Sequence, residues 1–309
     1  MPGYPAKPLR LRLASLVLIC FAITAGTAAQ AAAARTLVDP LGRRVTVPDE
    51  PRRVVSLAPS ITEIVFALGK EAQLVGVTRF SDYPPAALAL PKVGSYVQLD
   101  VERIAALRPD LCIAIKDGNP LTAIEQLEGL GVPVFAVDPH DLDSVLRSIA
   151  TLGDLLNAAR RAHAVTSAMQ ARLERIRQRV AGTTSRPRVF FQLAASPLVS
   201  VGGGTFIHDL IVRAGGTNVA DGPNPYPRYS REQVIALAPE VIVISSMERA
   251  AVFEQIKDEW MQWPVIPAVA HRAVFIAPSN LFDRPSPRLV EALELLAGYI
   301  HPELGEGQP

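Results

Sequence analysis

Cysteine is almost absent: the 309 residues contain two, Cys20 and Cys112. Cys20 lies inside an apolar N-terminal run, behind an Ile19 too bulky for a lipoprotein processing site. A matured chain therefore keeps one thiol and forms no internal disulfide, so its folded units must hold by packing. Blocks of charge are also missing. Thirty-one Lys+Arg stand against 30 Asp+Glu, for a formal charge of +1, and no basic stripe offers the phosphate-neutralising face that nucleic-acid binders use. Nucleic acid is excluded as a partner. With 49% hydrophobic and 20% charged residues, disorder is excluded for the bulk of the chain.

Catalytic and cofactor motifs are missing as well. Gly202-Gly203-Gly204 precedes a helical pattern, yet Ile207 stands where a dinucleotide fingerprint needs its third glycine and no P-loop lysine follows, so the triplet reads as a turn. There is no G-x-S-x-G elbow. Cys112 lies within an apolar strand pattern and reads as core. The five histidines (140, 163, 208, 271 and 301) are scattered without metal-ligand spacing. His140 is the best single ligand candidate, because it follows a strand end, while His163 and His301 read as solvated. No catalytic residue and no metal site is assigned.

What is present begins at the N-terminus. Lys7, Arg10 and Arg12 precede the uncharged run Leu13 to Ala25, and small residues follow, including Ala29-Gln30-Ala31. This is the anatomy of a cleavable secretory signal over residues 1–31, which sends the mature protein out of the cytoplasm. The alternative is an uncleaved anchor, since Leu13 to Ala34 is long enough to span; no other segment is. The mean hydropathy of +0.22 falls once the signal leaves. The leader carries three of the 31 basic residues and no acid, so 28 remain against 30 and the charge becomes −2.

Beyond the signal, strand and helix patterns alternate. Thr36 to Pro51 reads as a hairpin turning at Gly42. Strands are expected at Val54–Leu57, Leu74–Val77, Leu111–Ile115 and Val134–Val137. Between them lie a helix from Ser60 to Leu68, opened by a Ser60/Glu63 capping box, a helix capped by Asp100, and a helix from Leu121 to Leu130. Asp141 to Val180 carries helical spacing without a strand, and Val165, Met169, Leu173, Ile176 and Val180 form one apolar stripe. Strands then restart at Val189–Leu193, Val241–Ile244 and Ala273–Ala277, with helices at Thr205–Ala214 and Arg288–Ile300. The reading is an α/β protein with a lobe over 36–140, a helical segment including a linking helix over 141–181, and a second lobe over 188–309.

An internal repeat supports two related lobes. DVERIAALRPDLCIA (100–114) matches SREQVIALAPEVIVI (230–244) at a constant offset of 130, which pairs Glu102 with Glu232 and Pro109 with Pro239. Aromatics beside polar groups gather in the loops at strand ends: Phe80 and Tyr83, Tyr96, Tyr226, and the segment Asn280 to Arg284. Tyr96 and Tyr226 each stand four residues before the cap of their repeat helix, so facing lobes would present two aromatic walls to one cleft.

The ordered set PRRVVSLAPSITEIVFALG, SDYPP, DVERIAALRPDL, GGGTFIHDLIVRAGGTNVA, SREQVIALAPEVIVI and FDRPSPRLVEALELL with IHPE covers nearly all of the mature chain. It resembles the periplasmic substrate-binding proteins of ABC importers for vitamin B12, haem and iron–siderophores. The vitamin B12-binding branch is nearest, through SDYPP, Gly118-Asn119 and SREQV. The resemblance implies two Rossmann-like lobes joined by one long α-helix, a ligand held between them, and no enzymatic activity; a continuous helix resists bending more than loop hinges do, so little closure is expected. It implies corrinoid contacts at Phe80, Tyr96, Tyr226, Asn280, Leu281, Phe282, Asp283 and Arg284, with Arg284 as the chief polar anchor; Tyr83, in the same loop as Phe80, is read as a further ligand contact. The corrinoid is the transported ligand, not a resident cofactor. The branch carries Trp where this chain has Tyr96 and Tyr226, and haem-binding relatives ligate iron through Tyr, so haem or a ferric siderophore is the alternative. The family places one acid per lobe against its permease, here Glu102 and Glu232; each also suits a helix N-terminus. The implied partners are an ABC permease dimer with its ATPase, and the binding protein is expected to be a monomer. A secreted α/β hydrolase and a zinc- or manganese-type metal binder are the remaining readings.

Overall fold

The computed structural model describes residues 33–245 and 250–304, together with Gly3; the signal reading and Cys20 lie outside the described residues. Strands β1 (Ala34–Val38) and β2 (Arg44–Pro48) pair antiparallel as a hairpin, with Gly42 in its turn at a φ of +78°.

The first lobe is built on β3 (Val54–Ser56), β4 (Leu74–Val77), β7 (Leu111–Ile115) and β8 (Val134–Val137), all parallel in the order β4-β3-β7-β8. A small ladder of β5 (Gly94–Ser95) and β6 (Gln98–Leu99) stands beside it. All five residues of β7, Leu-Cys-Ile-Ala-Ile, are buried, as a parallel strand covered on both faces requires. Helices α1 (Pro59–Ala67), α2 (Val101–Ala106) and α3 (Leu121–Gly129) connect these strands. The second lobe repeats the plan with β9 (Arg188–Ala195), β12 (Val241–Ile244) and β13 (Val274–Ile276) in parallel. Two short strands pair with the outer side of β9: β10 (Leu198–Ser200), antiparallel, and β11 (Thr217–Asn218), parallel. Its helices are α6 (Phe206–Arg213), α7 (Arg231–Leu237), α8 (Ala250–Met261), α9 (Pro267–Ala270), α10 (Ser279–Phe282) and α11 (Leu289–Ile300).

Between the lobes run α4 (Leu142–Leu155) and α5 (Ala159–Ala181), which break at Asn157 with a φ of +56°. A capping box opens α4: Ser144 N–H donates to Asp141 Oδ1 at 2.6 Å, and Asp141 N–H to Ser144 Oγ at 2.8 Å. The 23 residues of α5 reach about 34 Å at helical rise, far enough to join both lobes. Near its start, Arg161 Nε donates to the Ala67 carbonyl of α1 at 2.9 Å; further along, Arg172 grips Glu294 of α11 with two bonds of 3.0 and 2.6 Å.

Three apolar cores follow from this layering. One, with Cys112, Ile104 and Leu127, fills the outer face of the first sheet under α2 and α3. Another, with Phe190, Ile242 and Trp260, fills the outer face of the second sheet under α7, α8 and α9. The third is continuous between the sheets: Ile61, Ile113, Ile149, Met169, Phe191, Leu210 and Leu293 belong to one cluster. Each fully buried Ile, Leu or Phe contributes about 1.5–3 kcal/mol, so separating the lobes through this layer would expose many such residues.

The internal repeat is a shared corner. Arg108 and its equivalent Ala238 both take left-handed backbone, at φ of 47° and 46°. Below them, Asp110 accepts the Arg52 and Arg53 N–H groups at 2.8 and 3.0 Å, and Glu240 accepts the Arg188 N–H at 2.9 Å. Arg53 and Arg188 each return a side-chain bond to the carbonyl of the left-handed residue.

One local expectation fails. Ser60 and Glu63 do not cap α1: its N-cap is Ala58 with Pro59 at the first position, so Ser60 already lies inside the helix and is buried. Glu63 is released for another role. His301 is also misplaced by the sequence reading. It is fully buried at the end of α11, with Nδ1 3.0 Å from Glu303 Oε1 and Nε2 3.2 Å from the Gly215 carbonyl.

Candidate ligand-binding cleft

Both sheets have a topological switch, between β3 and β7 and between β9 and β12, where ligands bind beyond the strand carboxyl ends in open α/β sheets. A cavity of about 1060 Å³ lies there, between the lobes. Ala58 to Ser60 after β3, Ile115 to Gly118 at the end of β7 and Asp138 to His140 after β8 line it from the first lobe. Leu193, the head of α6, Pro225-Tyr226 and Asp283 to Pro285 line it from the second. Its size is at the upper end for small-molecule sites and admits a macrocycle.

Tyr96 and Tyr226 stand on opposite lobes and both line the cavity. The turn after β7 holds them. Asn119 is buried; its Nδ2 donates to the Leu57 and Tyr96 carbonyls at 2.9 and 2.8 Å while its Oδ1 accepts from Ile115 N–H at 2.8 Å. Gly118 has a φ of +124°, and a Cβ there would lie 2.7 Å from two atoms of the Tyr96 ring. The ring therefore rests directly on the glycine, a close approach that only this residue permits. Tyr226 Oη donates to Asp117 Oδ2 at 2.5 Å, a bond that crosses from one lobe to the other. Burial, followed by this bond, raises the Tyr226 pKa above the ordinary phenol value; burial and the charges of Asp283 and Asp117 raise that of Tyr96.

Of the segment Asn280 to Arg284, only Asp283 and Arg284 line the cavity. The segment is not an open loop: α10 makes one helical turn after Pro278, which turns Leu281 and Phe282 into the shared core, where Phe282 packs on Phe191 at 5.9 Å between ring centroids. Asn280 remains exposed and off the lining. Phe80 and Tyr83 are also exposed and outside the lining, each under a guanidinium, Arg79 at 5.1 Å from the Phe80 ring and Arg288 at 3.8 Å from the Tyr83 ring.

Arg284, expected as the polar anchor, is engaged by the protein. Its Nη1 donates to Glu63 Oε1 at 3.0 Å and Asp82 Oδ1 at 2.7 Å, and its Nη2 to the Phe80 carbonyl at 3.0 Å. Ser286 Oγ completes the cluster on Glu63 Oε2 at 2.6 Å. The second lobe is thereby tied to α1 and to the loop after β4. Burial opposes the charge on Arg284, but Asp82 and Glu63 outweigh it and hold its pKa above the ordinary value. Burial leaves Glu63 with a raised pKa despite Ser286 and Arg284. Next to this cluster, Asp283 accepts from Ser245 Oγ at 2.8 Å through Oδ1, while its Oδ2 is shut from solvent without a hydrogen-bond partner among the described residues. Burial pushes this carboxyl up to about 7.

The other charges on the wall are paired too. Lys116 Nζ bonds Asp138 Oδ2 at 2.7 Å. His140 lines the cavity half-exposed, with Nδ1 3.0 Å from the Asp138 carbonyl. Among the described residues no group of three or more His, Cys, Asp or Glu could hold a metal ion. Cys112 is buried in β7, and burial pushes its thiol up to about 12, so it packs as an apolar residue. The sequence reading missed Asp117, Lys116, Asp138, Asp82 and Glu63. The signal for the first three was their position directly after an apolar strand run.

Glu102 and Glu232 are exposed in the first turns of α2 and α7, one on each lobe. The cap beneath each is formed: Asp100 Oδ1 accepts from Arg103 N–H at 2.9 Å, and Ser230 exchanges bonds with Gln233.

Two Rossmann-like lobes around one aromatic cleft form a bilobed ligand-binding fold. Comparison with known proteins agrees. A family model described as periplasmic binding protein matches residues 54–281. A vitamin B12-binding protein of Yersinia pestis is 34% identical over 245 residues, covering 79% of this chain and 84% of that protein. Among solved structures, the periplasmic vitamin B12-binding protein of Vibrio cholerae superposes with a TM-score of 0.74 at 30% identity, covering 84% and 100% of the two chains. A periplasmic haem-binding protein of Pseudomonas aeruginosa superposes with a TM-score of 0.72 at 31% identity, covering 84% and 95%. The chain belongs to the periplasmic binding protein family. It is a periplasmic solute-binding protein that delivers its ligand to an ABC permease, and it is not an enzyme.

Proposed function

We propose that the ligand is a corrinoid, vitamin B12 or a close precursor, held between Tyr96 and Tyr226 and handed to a permease that grips Glu102 and Glu232. The observation that carries this reading is the pairing of charge in the cleft. Lys116 is engaged by Asp138, and Arg284 by Glu63 and Asp82, so both cations are committed before a carboxylate-bearing ligand arrives. The Tyr226 hydroxyl is engaged by Asp117, which competes with its use as the phenolate ligand of a ferric haem. A corrinoid brings its metal already chelated by its own ring and offers uncharged amides at its periphery, so it needs neither free cations nor a phenolate. The cavity volume suits such a ligand, and the similarity to vitamin B12-binding proteins favours it.

Haem is the second reading, favoured by Tyr96 as a phenol on the cavity wall and by the similarity to a periplasmic haem-binding protein. Titration of the purified mature protein with cyanocobalamin, cobinamide, haemin and ferric siderophores separates the two, following intrinsic fluorescence and the ligand's visible spectrum. Corrinoid binding at micromolar or tighter affinity is expected; a tyrosinate-ligated haem spectrum without corrinoid binding refutes the proposal. For docking, Glu102→Lys with Glu232→Lys should abolish transport and leave ligand affinity intact. An equal fall in affinity would overturn that assignment.

A further inference from the structure

The bond between Tyr226 and Asp117 has a role that the aromatic-wall reading alone does not contain. Asp117 belongs to the first lobe and Tyr226 to the second, and both line the cavity. The turn that carries Asp117 also seats the Tyr96 ring on Gly118 and fixes the Tyr96 backbone through Asn119. One four-residue turn, Lys116 to Asn119, thus governs both tyrosine walls. It holds Tyr96 from within its own lobe and reaches across the cleft for Tyr226. Lys116 does not compete for Asp117, since its ammonium bonds Asp138.

We infer that Asp117 is a positioning residue for ligand binding: by taking the Tyr226 hydroxyl across the cleft, it sets the spacing of the two walls and leaves Tyr226 to meet the ligand with its ring. The hydroxyl, already donating to a carboxylate, is not the group that Tyr226 offers to the ligand. This rests on the corrinoid reading in one respect, because it makes Tyr226 a stacking surface rather than an iron ligand. A fixed wall retains a flat ligand longer than one free to rotate, so loss of Asp117 acts on dissociation.

The test is a double-mutant cycle of Asp117→Ala and Tyr226→Phe on cyanocobalamin binding, with Asp117→Asn as the conservative variant. Each single change should weaken binding about tenfold, the scale of one hydrogen bond to a charged group. The effect should fall mainly on the dissociation rate. The double variant should be no weaker than either single one, and Asp117→Asn, which keeps an acceptor oxygen, should recover part of the loss. Absorbance titration of the unliganded protein near 295 nm should show that, among the tyrosines with raised pKa, one titrates earlier in Asp117→Ala and is missing in Tyr226→Phe. Affinity of Asp117→Ala within twofold of wild type, or strictly additive losses, would overturn the inference while leaving corrinoid binding by the wild type intact. If the wild type takes haemin and no corrinoid, the corrinoid reading falls. The same cycle on haemin then decides: a tyrosinate band lost in Tyr226→Phe and unchanged in Asp117→Ala rejects a positioning role, and coupled losses retain it.

Discussion

Asp283→Asn should stabilise the unliganded protein in a pH-dependent way. The Asp283 carboxyl is pushed up to about 7 by burial, against a usual value of 3.8 that the unfolded chain regains. A carboxyl whose folded pKa lies above its unfolded pKa favours folding most when it is protonated in both states, below about pH 4. That advantage declines as pH rises from about 4 to about 7 and is gone above it. The shift of about three units corresponds to about 4 kcal/mol, at about 1.4 kcal/mol per unit. Asn cannot ionise, so it escapes this penalty, and its Oδ1 can still accept from Ser245 Oγ, as Asp283 Oδ1 does at 2.8 Å. Its Nδ2 would take the place of the unpartnered Oδ2, a pH-independent cost of about 1–3 kcal/mol. Urea denaturation of wild type and variant from pH 5 to 8.5 isolates the pH-dependent part, because Glu63 and every other titrating group is common to both. The stability difference should move in favour of Asn by about 1 kcal/mol or more per pH unit between pH 5 and 7, then level off. A difference independent of pH would refute the reasoning, as would one that grows in favour of Asp with rising pH.

Arg284→Gln should cost about 1–3 kcal/mol of unfolding free energy, because Glu63, with 2% of its side chain exposed, loses its hydrogen-bonded cation and keeps only Arg288 at 3.7 Å. Adding Glu63→Gln should restore part of that loss in the same denaturation assay. Gly118→Ala should weaken ligand binding measured by fluorescence titration and destabilise the chain by about 1–3 kcal/mol, since its Cβ would meet the Tyr96 ring at 2.7 Å and its φ is +124°. His301→Ala should lower the thermal midpoint and cost about 2–4 kcal/mol by removing the contacts with Glu303 and the Gly215 carbonyl and leaving a void, with ligand affinity unchanged.

The parts of the fold legible in the sequence are those whose pattern is local. Leu111–Ile115, Val134–Val137 and Val241–Ile244 are uninterrupted apolar runs between turn signals, and they form strands over those residues. The 15-residue repeat, offset by 130, is visible because helix, proline and strand follow one another closely. Its structural reason, two left-handed corners stabilised by Arg53 and Arg188, was hidden because those arginines lie outside the repeated segments. The site divides in the same way. Tyr96 and Tyr226 could be found as aromatics at strand ends. Leu281 and Phe282 were assigned to the wrong environment because a single helical turn after Pro278 reverses which residues face inward. Glu63 shows the limit most clearly. Three residues after Ser60 it has the spacing of a capping acid, a role worth only about a kilocalorie per mole, but Pro59 takes the first helical position and moves the cap back to Ala58. The partners that claim Glu63 instead, Arg284 and Ser286, lie 221 and 223 residues downstream, beyond the reach of any local pattern. That same distance makes the contact informative about mechanism. An ion cluster at Glu63 and Arg284 joins the two lobes, and the phenol–carboxylate bond of Asp117 and Tyr226 joins them again across the cavity.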